Sequence, residues 1–463
     1  MVNNSTSSQP LNVVIMAAGL GTRMKSNRAK VLHELGGLPL IAHVARTAQA
    51  LEPQRIVVVV GHQAEEVEKA VIDAVGGELA SFVIQARQRG TGDAVESARS
   101  VLEHSDSLAL VLSGDVPMIK VETLRRLIAQ HQSTKAGCTI LSVRLENPTG
   151  YGRVIRDDNG AFQKIVEQRD ANEEQRQVKE INSGIYCFDA RELFNALRKV
   201  EPKNEQGEYY LTDVPEIIMA NGGKVTVFLH DEAREVYGIN SRAELAEFEN
   251  LIRRAAIRRL MTDRGVTFID PSHAYISAEA EIGRDTVIYP NVTIEGRTII
   301  GEGCVIRSGA RITNSRLGDE VTVKDHSIIV DSQIESNCSV GPFAHLRMNT
   351  VLEQKATVGN FVEVKKSRLK RGTKAMHLTY LGDATIGERT NIGAGTITCN
   401  YDGKNKHETI IEDEVKIGSD TMLVAPVRVG ARSVTGAGSV VTKDVPPDSL
   451  VAGVPAEIKK KLN

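Results

Sequence analysis

A glycine-rich loop followed by two cations is the first feature of this sequence that could carry out chemistry. The stretch MAAGLGTRM places Gly19 and Gly21 just before Arg23, and Lys30 follows seven residues later. It is not a dinucleotide fingerprint, because Met24 replaces the third glycine, and it lacks the Gly-Lys-Ser/Thr ending of a P-loop. Backbone N–H groups and two cations suit a triphosphate, and they can stabilise charge on phosphorus under attack. A turn with surface cations is the alternative.

A carboxylate at the end of an apolar strand is the second candidate group. In LVLSGDVP the apolar run ends just before Asp115. A carboxylate in that position can hold a Mg²⁺ ion that bridges phosphates. The alternative for this motif alone is a structural aspartate at a turn or a helix N-cap.

Alternating strands and helices must position these groups in the first half of the chain. We predict strands at 12–18, 56–60, 81–86, 108–112 and 138–143, and helices at 39–51, 63–75, 92–103 and 121–132. This alternation is typical of an α/β fold with a mostly parallel sheet covered on both faces. Ligands of such sheets bind beyond the carboxyl ends of the strands.

The second half has a period of six residues. Aliphatic residues, often followed by Gly, recur at positions 276, 282, 288, 294, 300, 306 and 312, at 334, 340, 346, 352, 358 and 364, at 386 and 392, and at 411, 417, 423 and 429. We expect the register to break at Thr435. A period of six predicts a hexapeptide β-helix in which three hexads make one triangular coil, with β-sandwich strands as the alternative. Such solenoids commonly trimerise to cover their flat faces.

A helix separates the two halves. Ser241 and Glu244 form a predicted capping box, and Gly265 is its stop signal. The arginine-rich face of this helix is interpreted as solvated. The predicted organisation is a disordered tail at 1–10, a nucleotide-binding domain at 11–240, a linker helix at 241–264 and a β-helix at 265–463.

Composition excludes several classes of protein. A net charge of −2 argues against nucleic acid as the main partner, because that binding depends on a basic excess. The aliphatic runs are too short for membrane insertion, and the polar N-terminus is not a secretory signal. Five widely spaced cysteines without a CxxC pair indicate reduced thiols and a cytoplasmic location.

Several motifs together resemble a known family. The glycine loop, QARQRGTGDA, SGD, GYGRV, IVEQRD and EINSGIY resemble the sugar-nucleotide pyrophosphorylases. HLTYLGDATIG and NIGAGTITCNYDG, joined to the hexads, extend the resemblance to nearly the whole chain. It is then similar to the bacterial bifunctional N-acetylglucosamine-1-phosphate uridylyltransferases and glucosamine-1-phosphate acetyltransferases. The implied fold is a Rossmann-like nucleotidyltransferase domain, a linker helix and a left-handed parallel β-helix.

The resemblance also implies substrates and cofactors. Acetyl-CoA would acetylate glucosamine-1-phosphate, and UTP would then react with N-acetylglucosamine-1-phosphate in a Mg²⁺-dependent step that releases pyrophosphate. The implied assembly is a homotrimer. Two alternatives remain: a single-activity pyrophosphorylase with a regulatory β-helix, and a non-catalytic nucleotide-exchange scaffold.

Roles at the nucleotide site follow from the resemblance, residue by residue. Arg23 and Lys30 would contact phosphates, and Asp115 and Asn240 would hold Mg²⁺. The implied contacts of base and ribose are Ala17, Ala18, Gly19, Gln85, Gln88, Gly90 and Thr91. The implied contacts of the amino sugar are Gly152, Glu167 and Asn182.

Roles at the acetyl site follow in the same way. An ammonium must lose a proton before it attacks a thioester, and His377 is the fitting base because imidazole titrates near neutrality. The implied phosphate ligands are Arg347 and Lys365. The implied contacts of the sugar and acetyl group are Tyr380, Asn391, Asn400 and Tyr401, and those of CoA are Ala394, Ser419 and Ala437.

Two positions depart from the family pattern. Ala29 stands where the family usually has Pro, so we expect a less rigid loop before Lys30. Ser113 stands where many members have Tyr, which puts that nucleotide contact in doubt. The C-terminal lysines 459–461 are interpreted as a solvated tail rather than as CoA ligands.

Overall fold

The structure is a computed structural model that describes residues 9–102 and 106–461. The predicted tail at 1–10 falls mainly on residues 1–8, which lie outside the described residues. The chain forms two compact units, and the boundary between them along the sequence lies between Phe248 and Glu249.

A helix, Arg242–Arg264, begins in the first unit and ends in the second. Its capping box is present, since Glu244 N–H donates to Ser241 Oγ (3.2 Å) and Ser241 N–H donates to Glu244 Oε2 (3.1 Å). The domain limits 11–240, 241–264 and 265–463 remain predictions.

The first unit is built on one mixed sheet. In spatial order its main strands are Val225–His230, Cys138–Arg144, Glu180–Asp189, Leu108–Ser113, Leu11–Met16, Arg55–Val60 and Ala80–Ile84. Only Glu180–Asp189 runs antiparallel to its neighbours on this path. Two short antiparallel pairs complete the described strands: Arg153–Arg156 with Phe162–Val166, and Glu34–Leu35 with Leu38–Pro39.

Helices cover both faces of this sheet. Within the described residues they are Leu40–Gln49, Ala64–Val75, Thr91–Glu96, Arg99–Leu102, Val121–Thr134, Glu173–Arg176, Ala190–Leu197 and Val214–Ala220. Short 3₁₀ turns occupy Thr22–Met24, Lys30–Leu32, Leu211–Asp213 and Ala233–Val236. Successive residues of the first strand alternate between two hydrophobic clusters, with Val13 and Ile15 in one and Val14 in the other. The predicted α/β class is therefore confirmed.

One predicted helix, 92–103, was wrong as a continuous element. The chain forms Thr91–Glu96 and then Arg99–Leu102, and residue 103 lies outside the described residues. The Ser97 hydroxyl donates to the Asp93 carbonyl at 3.1 Å. The Ala98 N–H bonds back by three residues rather than four, to Val95. This local tightening interrupts the regular helical ladder.

The second unit is a stack of three-sided coils. Its first sheet contains Thr267–Phe268, Val287–Ile288, Val305–Ile306, Thr322–Val323, Ser339–Val340, Thr357–Asn360, Lys374–His377, Asn391–Ile392, Lys416–Ile417, Val434–Thr435, Ser449–Ala452 and Glu457–Lys461. Its second sheet contains Tyr275–Ile276, Thr293–Glu295, Arg311–Thr313, Ile328–Val330, His345–Arg347, Glu363–Lys365, Tyr380–Gly382, Ile397–Cys399, Met422–Val424 and Val440–Val441. Its third sheet contains Glu281–Ile282, Ile299–Ile300, Arg316–Leu317, Gln333–Ile334, Val351–Leu352, Arg368–Leu369, Ala384–Ile386, Thr409–Ile411 and Val427–Val429. A 3₁₀ turn, Pro271–His273, connects the strand Thr267–Phe268 to the strand Tyr275–Ile276.

These sheets are parallel except for the final pair, in which Ser449–Ala452 meets Glu457–Lys461 in antiparallel fashion. Equivalent residues of successive coils stack, as Ile294 pairs with Ile312. All the predicted hexad aliphatics are buried. The hexapeptide stack is therefore confirmed.

The hexad pattern continues where the sequence seemed to lose it. Between Ile312 and Ile334 the inward positions are filled by Leu317, Val323 and Ile329, because two of the steps are five residues long instead of six. Each of the two five-residue steps has one turn residue fewer at its corner.

The expected register break at Thr435 was wrong. Thr435 is 2% exposed and takes the inward position of its strand. Its hydroxyl oxygen accepts a hydrogen bond from the Gly418 N–H at 2.9 Å and lies 3.1 Å from the Thr421 hydroxyl. A threonine can replace an aliphatic residue there because its polar atom is satisfied.

No helix within the described ranges is both long enough and apolar enough to cross a membrane.

The stacked core predicts a sharp difference between adjacent isoleucines. Ile329 points inward and is 0% exposed, whereas Ile328 points outward and is 40% exposed. Ile329→Ala should lower the free energy of unfolding of the second unit by about 2–5 kcal/mol, because it leaves a cavity in a close-packed column. Ile328→Ala is the matched control and should cost less than about 1 kcal/mol. Urea denaturation followed by circular dichroism measures both, and equal losses would contradict the inward assignment.

Candidate functional site

The glycine loop and the Asp115 segment leave the sheet side by side. Their strands are parallel neighbours, in which Met16 pairs with Ser113. The Gly114 N–H donates to the Met16 carbonyl at 2.9 Å, just beyond the last paired residues. Both candidate groups therefore lie at the carboxyl edge of the sheet, where ligands of such sheets bind.

Gly21 lets Lys30 reach this edge. Its backbone has φ 60°, in the left-handed region, and a Cβ built on it would lie 2.5 Å from the Cβ of Lys30. A side chain at position 21 would therefore displace the segment that carries Lys30. Glycine is required here for both conformation and space.

Two cations contact the two predicted metal ligands. The Lys30 ammonium donates to Asp115 Oδ2 and, at 3.1 Å, to Asn240 Oδ1. Arg23 donates to the same Asn240 oxygen at 2.7 Å, and the Ser113 hydroxyl donates to Asp115 Oδ1 at 2.6 Å. Burial disfavours the charged carboxylate, but the Lys30 charge and these hydrogen bonds outweigh it and hold the pKa of Asp115 below its usual range.

The donor set fits a magnesium ion that is shared with a substrate. Asp115 and Asn240 offer one carboxylate and one amide oxygen, which meet at the Lys30 ammonium. In the part of the chain that the structure describes, no group of three or more His, Cys, Asp or Glu side chains could hold a metal. Mg²⁺ commonly takes one or two protein oxygens and fills its remaining positions with phosphates and water. These two residues match that pattern.

The predicted base-binding segment folds against the glycine loop. The Gln88 side chain donates to the Ala18 carbonyl at 2.6 Å, and the Gln85 side chain donates to the Gly90 carbonyl at 3.2 Å. Thr91 Oγ1 accepts the Leu211 N–H at 3.1 Å. The segment is thus held beside the loop by its own side chains.

The predicted amino-sugar residues line one cavity of about 410 Å³ together with Asp115 and Asn240. The Asn182 N–H donates to the Gly152 carbonyl at 2.9 Å, and its side chain donates to the Tyr186 hydroxyl at 2.6 Å. A Cβ on Gly152 would lie 3.2 Å from Glu167 Oε1. The cavity therefore joins the cationic cluster to a polar pocket.

Burial raises the pKa of Glu167, and the hydrogen bond from Thr212 only partly opposes this. Burial and the neighbouring Tyr237 raise the pKa of Tyr151 to about 12, so its hydroxyl stays a donor. Sequence reasoning did not assign roles to Tyr151 and Thr212, although both line the cavity. Tyr151 lies inside the GYGRV motif, which was the available signal.

The two departures from the family pattern both make hydrogen bonds. Ala29 is 1% exposed, and its N–H donates to Gln63 Oε1 at 2.6 Å. Ser113 directs its hydroxyl at the Asp115 carboxylate. The Ala29 backbone is therefore held by a bond that a proline could not make.

In the second unit, His377 has an orienting partner. It ends the strand Lys374–His377, pairs in register with Asn360, and places Nδ1 2.8 Å from Asn360 Oδ1. An Nδ1–H that donates to this amide oxygen leaves Nε2 as the basic nitrogen. The His377 side chain is exposed, so Nε2 is open to a substrate.

Three small residues continue from His377 along one corner of the stack. The Gly395 N–H bonds the carbonyl of Leu378, the Asp420 N–H bonds the carbonyl of Ala394, and the Gly438 N–H bonds the carbonyl of Ser419. The predicted CoA residues Ala394, Ser419 and Ala437 thus occupy equivalent places on successive coils, about 4.8 Å apart. A strip of small side chains of this length suits a long, thin ligand.

The predicted phosphate ligands lie at the opposite edge of the second sheet. Arg347 pairs in register with Lys365, and its guanidinium is 2.7 Å from Glu363. Asn400 lies two coils beyond Lys365, and its side chain donates to Asp383 Oδ2 at 2.6 Å.

Lys406 is a residue that sequence reasoning missed. Tyr401 and Lys406 form an isolated bridge in a loop that leaves the stack after Asn400. The neighbouring Lys406 ammonium, followed by burial, lowers the pKa of Lys365. Two adjacent ammonium groups favour an anion between them. The basic end of NYDGKNK was the only sequence signal.

Seven of the predicted nucleotide-site residues line one cavity, namely Arg23, Thr91, Asp115, Gly152, Glu167, Asn182 and Asn240. The others, Ala17, Ala18, Gly19, Lys30, Gln85, Gln88 and Gly90, are not part of its lining. The predicted acetyl-site residues lie at two edges of one sheet. His377 and the small strip form one edge, and Arg347, Lys365 and Asn400 form the other. Tyr380 begins the strand between them, and the exposed Asn391 begins the next strand of the first sheet.

Comparison with protein families agrees with the division of the chain into two units. Residues 12–234 match the nucleotidyl transferase family, residues 267–368 match the GMPPB C-terminal domain, and residues 408–443 match the hexapeptide repeat of succinyl-transferase.

Similar proteins match over nearly the full length of the chain. A relative from Syntrophomonas wolfei is 47% identical over 440 residues, which cover 95% of this chain and 96% of the relative. A relative from Heliobacterium modesticaldum is 48% identical and covers 94% of both chains, and one from a Geobacillus species is 46% identical over 97% of this chain and 96% of its own. Each of the three is named "Bifunctional protein GlmU". The chain belongs to the GlmU family of bifunctional proteins.

Proposed function

We propose that the chain makes UDP-N-acetylglucosamine by two transfers, an acetyl transfer from acetyl-CoA to glucosamine-1-phosphate and a uridylyl transfer from UTP to the product. The observation that supports this most strongly is the single cavity that joins Asp115, Asn240 and Arg23 to the polar pocket of Glu167 and Asn182. A nucleoside triphosphate and a sugar phosphate can meet there. The His377–Asn360 pair supplies a separate acetyl-transfer site in the second unit.

Uridylyl transfer needs alignment and charge neutralisation more than it needs a protein nucleophile. A phosphate oxygen of N-acetylglucosamine-1-phosphate is already anionic, and it attacks the α-phosphorus of UTP as the bond to pyrophosphate breaks. Arg23 and Lys30 turn from the Asn240 and Asp115 oxygens to the phosphates and neutralise their charge. Asp115 and Asn240 would hold Mg²⁺, which supplies further neutralisation of the phosphates.

The glycine loop and the walls of the cavity together select the two substrates. The loop around Ala18, held by Gln88, presents backbone groups to the base, with Gln85 beside it. On the other side, Glu167 and Asn182 offer hydrogen-bond partners to the sugar hydroxyls and the acetamido group. Burial strengthens these polar contacts because water is excluded.

Acetyl transfer requires a base. The ammonium of glucosamine-1-phosphate gives one proton to His377 Nε2, and the resulting amine nitrogen forms a bond to the thioester carbon. As the bond between that carbon and sulfur breaks, the second proton of the nitrogen passes to the sulfur, and CoA leaves as the thiol. Asn360 holds the imidazole in the tautomer that accepts at Nε2. Arg347, Lys365 and Lys406 bind the sugar phosphate, and the strip of small residues receives the pantetheine arm of CoA.

We also propose that the protein works as a homotrimer in the cytoplasm. Phe343 and Phe361 are about half exposed and stack with ring centroids 5.2 Å apart on the outside of the coils. Burial of such an apolar ladder against another chain would be favourable. The five cysteines are free thiols, which suits a reducing compartment.

The two activities should be separable at Asp115. Asp115→Ala removes a metal ligand and the partner of Lys30, so uridylyl transfer should fall by about 100-fold or more. Acetyl transfer should stay near wild type, because Asp115 belongs to the first unit. Pyrophosphate release and free-thiol release measure the two activities. EDTA should reproduce the same selective loss, and equal loss of both activities in a folded variant would refute the two-site assignment.

His377 should be needed for acetyl transfer alone. His377→Ala should lower the acetyl-transfer rate by about 10²–10⁴-fold, because the amine loses its general base. The residual rate should rise with pH as more of the substrate amine deprotonates unaided. His273→Ala is the matched control, since the exposed His273 side chain hydrogen-bonds Asp270 and Ser272 and lies outside the proposed acetyl site. Wild-type acetyl transfer by His377→Ala at neutral pH would show that another group is the base.

Sedimentation tests the proposed assembly. A trimer of this 50.3 kDa chain should have a mass of about 151 kDa. Analytical ultracentrifugation of the full chain at micromolar concentration measures it directly, and a single species of monomer mass would contradict the proposal.

A further inference from the structure

The connection between the strand Arg55–Val60 and the helix Ala64–Val75 touches the segment that carries Lys30. Gln63 Oε1 accepts the Ala29 N–H at 2.6 Å, and His62 Nε2 lies 3.4 Å from the Asn27 carbonyl. Neither residue has a role in the sites described above. Both contacts are made to the backbone, so they constrain the path of the segment rather than one of its side chains.

Gln63 makes this contact from an unfavourable backbone conformation. Its φ is 54° and its ψ is 47°, in the left-handed region that favours glycine. It stands at the N-cap of the following helix, yet its side chain does not cap that helix. Gln63 therefore directs its side-chain amide to a distant loop from a strained backbone conformation instead of capping its own helix.

The hydrogen bond between Gln63 and Ala29 fixes the backbone position from which the Lys30 side chain extends. Ala29 is buried and hydrogen-bonded at both ends, since its N–H meets Gln63 and its carbonyl accepts the Leu32 N–H at 3.0 Å. The next residue, Lys30, spans from there to Asp115 and Asn240. A displaced backbone at Ala29 would move the ammonium away from the phosphates, and small errors in such positions are costly in catalysis.

We propose that Gln63 is a positioning residue for uridylyl transfer, which holds the Ala29 backbone so that Lys30 meets the phosphates of UTP. The inference rests on the proposed function of Lys30 as a phosphate ligand. It assigns to the β-strand–helix connection a part in nucleotide binding, through the hydrogen bond from the Ala29 backbone to Gln63.

Three substitutions separate positioning from simple stability. Gln63→Gly removes the hydrogen bond but relieves the left-handed strain, whereas Gln63→Ala removes the bond and keeps the strain. Ala29→Pro removes the N–H but locks φ near the observed −54°. In the Gln63→Gly background the side-chain amide of Gln63 is gone, so the proline ring has room at position 29.

Gln63→Gly and Gln63→Ala should both raise the KM for UTP, on the order of 3- to 10-fold, the effect of losing one hydrogen bond. Gln63→Gly should nevertheless have the higher melting temperature of the two. Ala29→Pro added to Gln63→Gly should restore the KM for UTP, because the backbone is then held by the proline ring. Acetyl transfer, measured on the same preparations, should not change in any variant.

Three results would overturn the role of Gln63: an unchanged KM for UTP in both single variants, a KM that follows melting temperature, or a failure of Ala29→Pro to restore it. Amide hydrogen exchange over residues 27–32 provides a readout that does not depend on activity, and it should accelerate in Gln63→Gly. Unchanged exchange there would also refute the proposal. A wild-type protein without uridylyl transfer would instead refute the proposed function, and the exchange measurement would still decide whether Gln63 holds the loop.

Discussion

The ion pair between Lys30 and Asp115 joins the parts of the first unit on which its chemistry depends. The two residues are 85 positions apart, and their side chains are 17% and 10% exposed. Burial of two charges is costly, and their attraction offsets this cost only where the remaining polar atoms are also hydrogen-bonded. Ser113 supplies one such bond to the carboxylate, and the Asn240 oxygen accepts from Lys30 and Arg23. The carboxylate of Asp115 therefore stays ionised at the carboxyl edge of the sheet.

A different constraint shapes the second unit, because every coil must stack on the one before it. Inward residues are confined to three columns that must stay close-packed, and at Thr435 a polar residue fits there because its hydroxyl is hydrogen-bonded. Outward residues and corners are free of that requirement. His377 and Tyr401 are exposed and lie outside the core, so the residue types at these positions can vary without disturbing the stack.

Both units hold cations in place through contacts within the chain. In the first unit the backbone before Lys30 is held by the hydrogen bond from Ala29 to Gln63, and the Lys30 side chain packs closely against Gly21. In the second, Lys365 and Lys406 lie next to each other at the cost of mutual repulsion, which a bound phosphate would relieve. Because the backbones of these cations are already fixed, only side-chain rotation is needed to meet an anion, which limits reorganisation during reaction.

The sequence by itself determined the fold class of each unit and most of the inward positions of the stack, because periods of two, 3.6 and six residues follow directly from local geometry. It did not show the five-residue steps near Leu317, because a turn can be one residue shorter without any local signal. It did not show the inward Thr435 either, because the groups that hydrogen-bond its hydroxyl come from a neighbouring coil. Only the tertiary structure paired His377 with Asn360, Ala29 with Gln63 and Lys365 with Lys406. Each pair joins residues that lie far apart in the chain, and their contact depends on how strands and coils are placed side by side rather than on any local pattern.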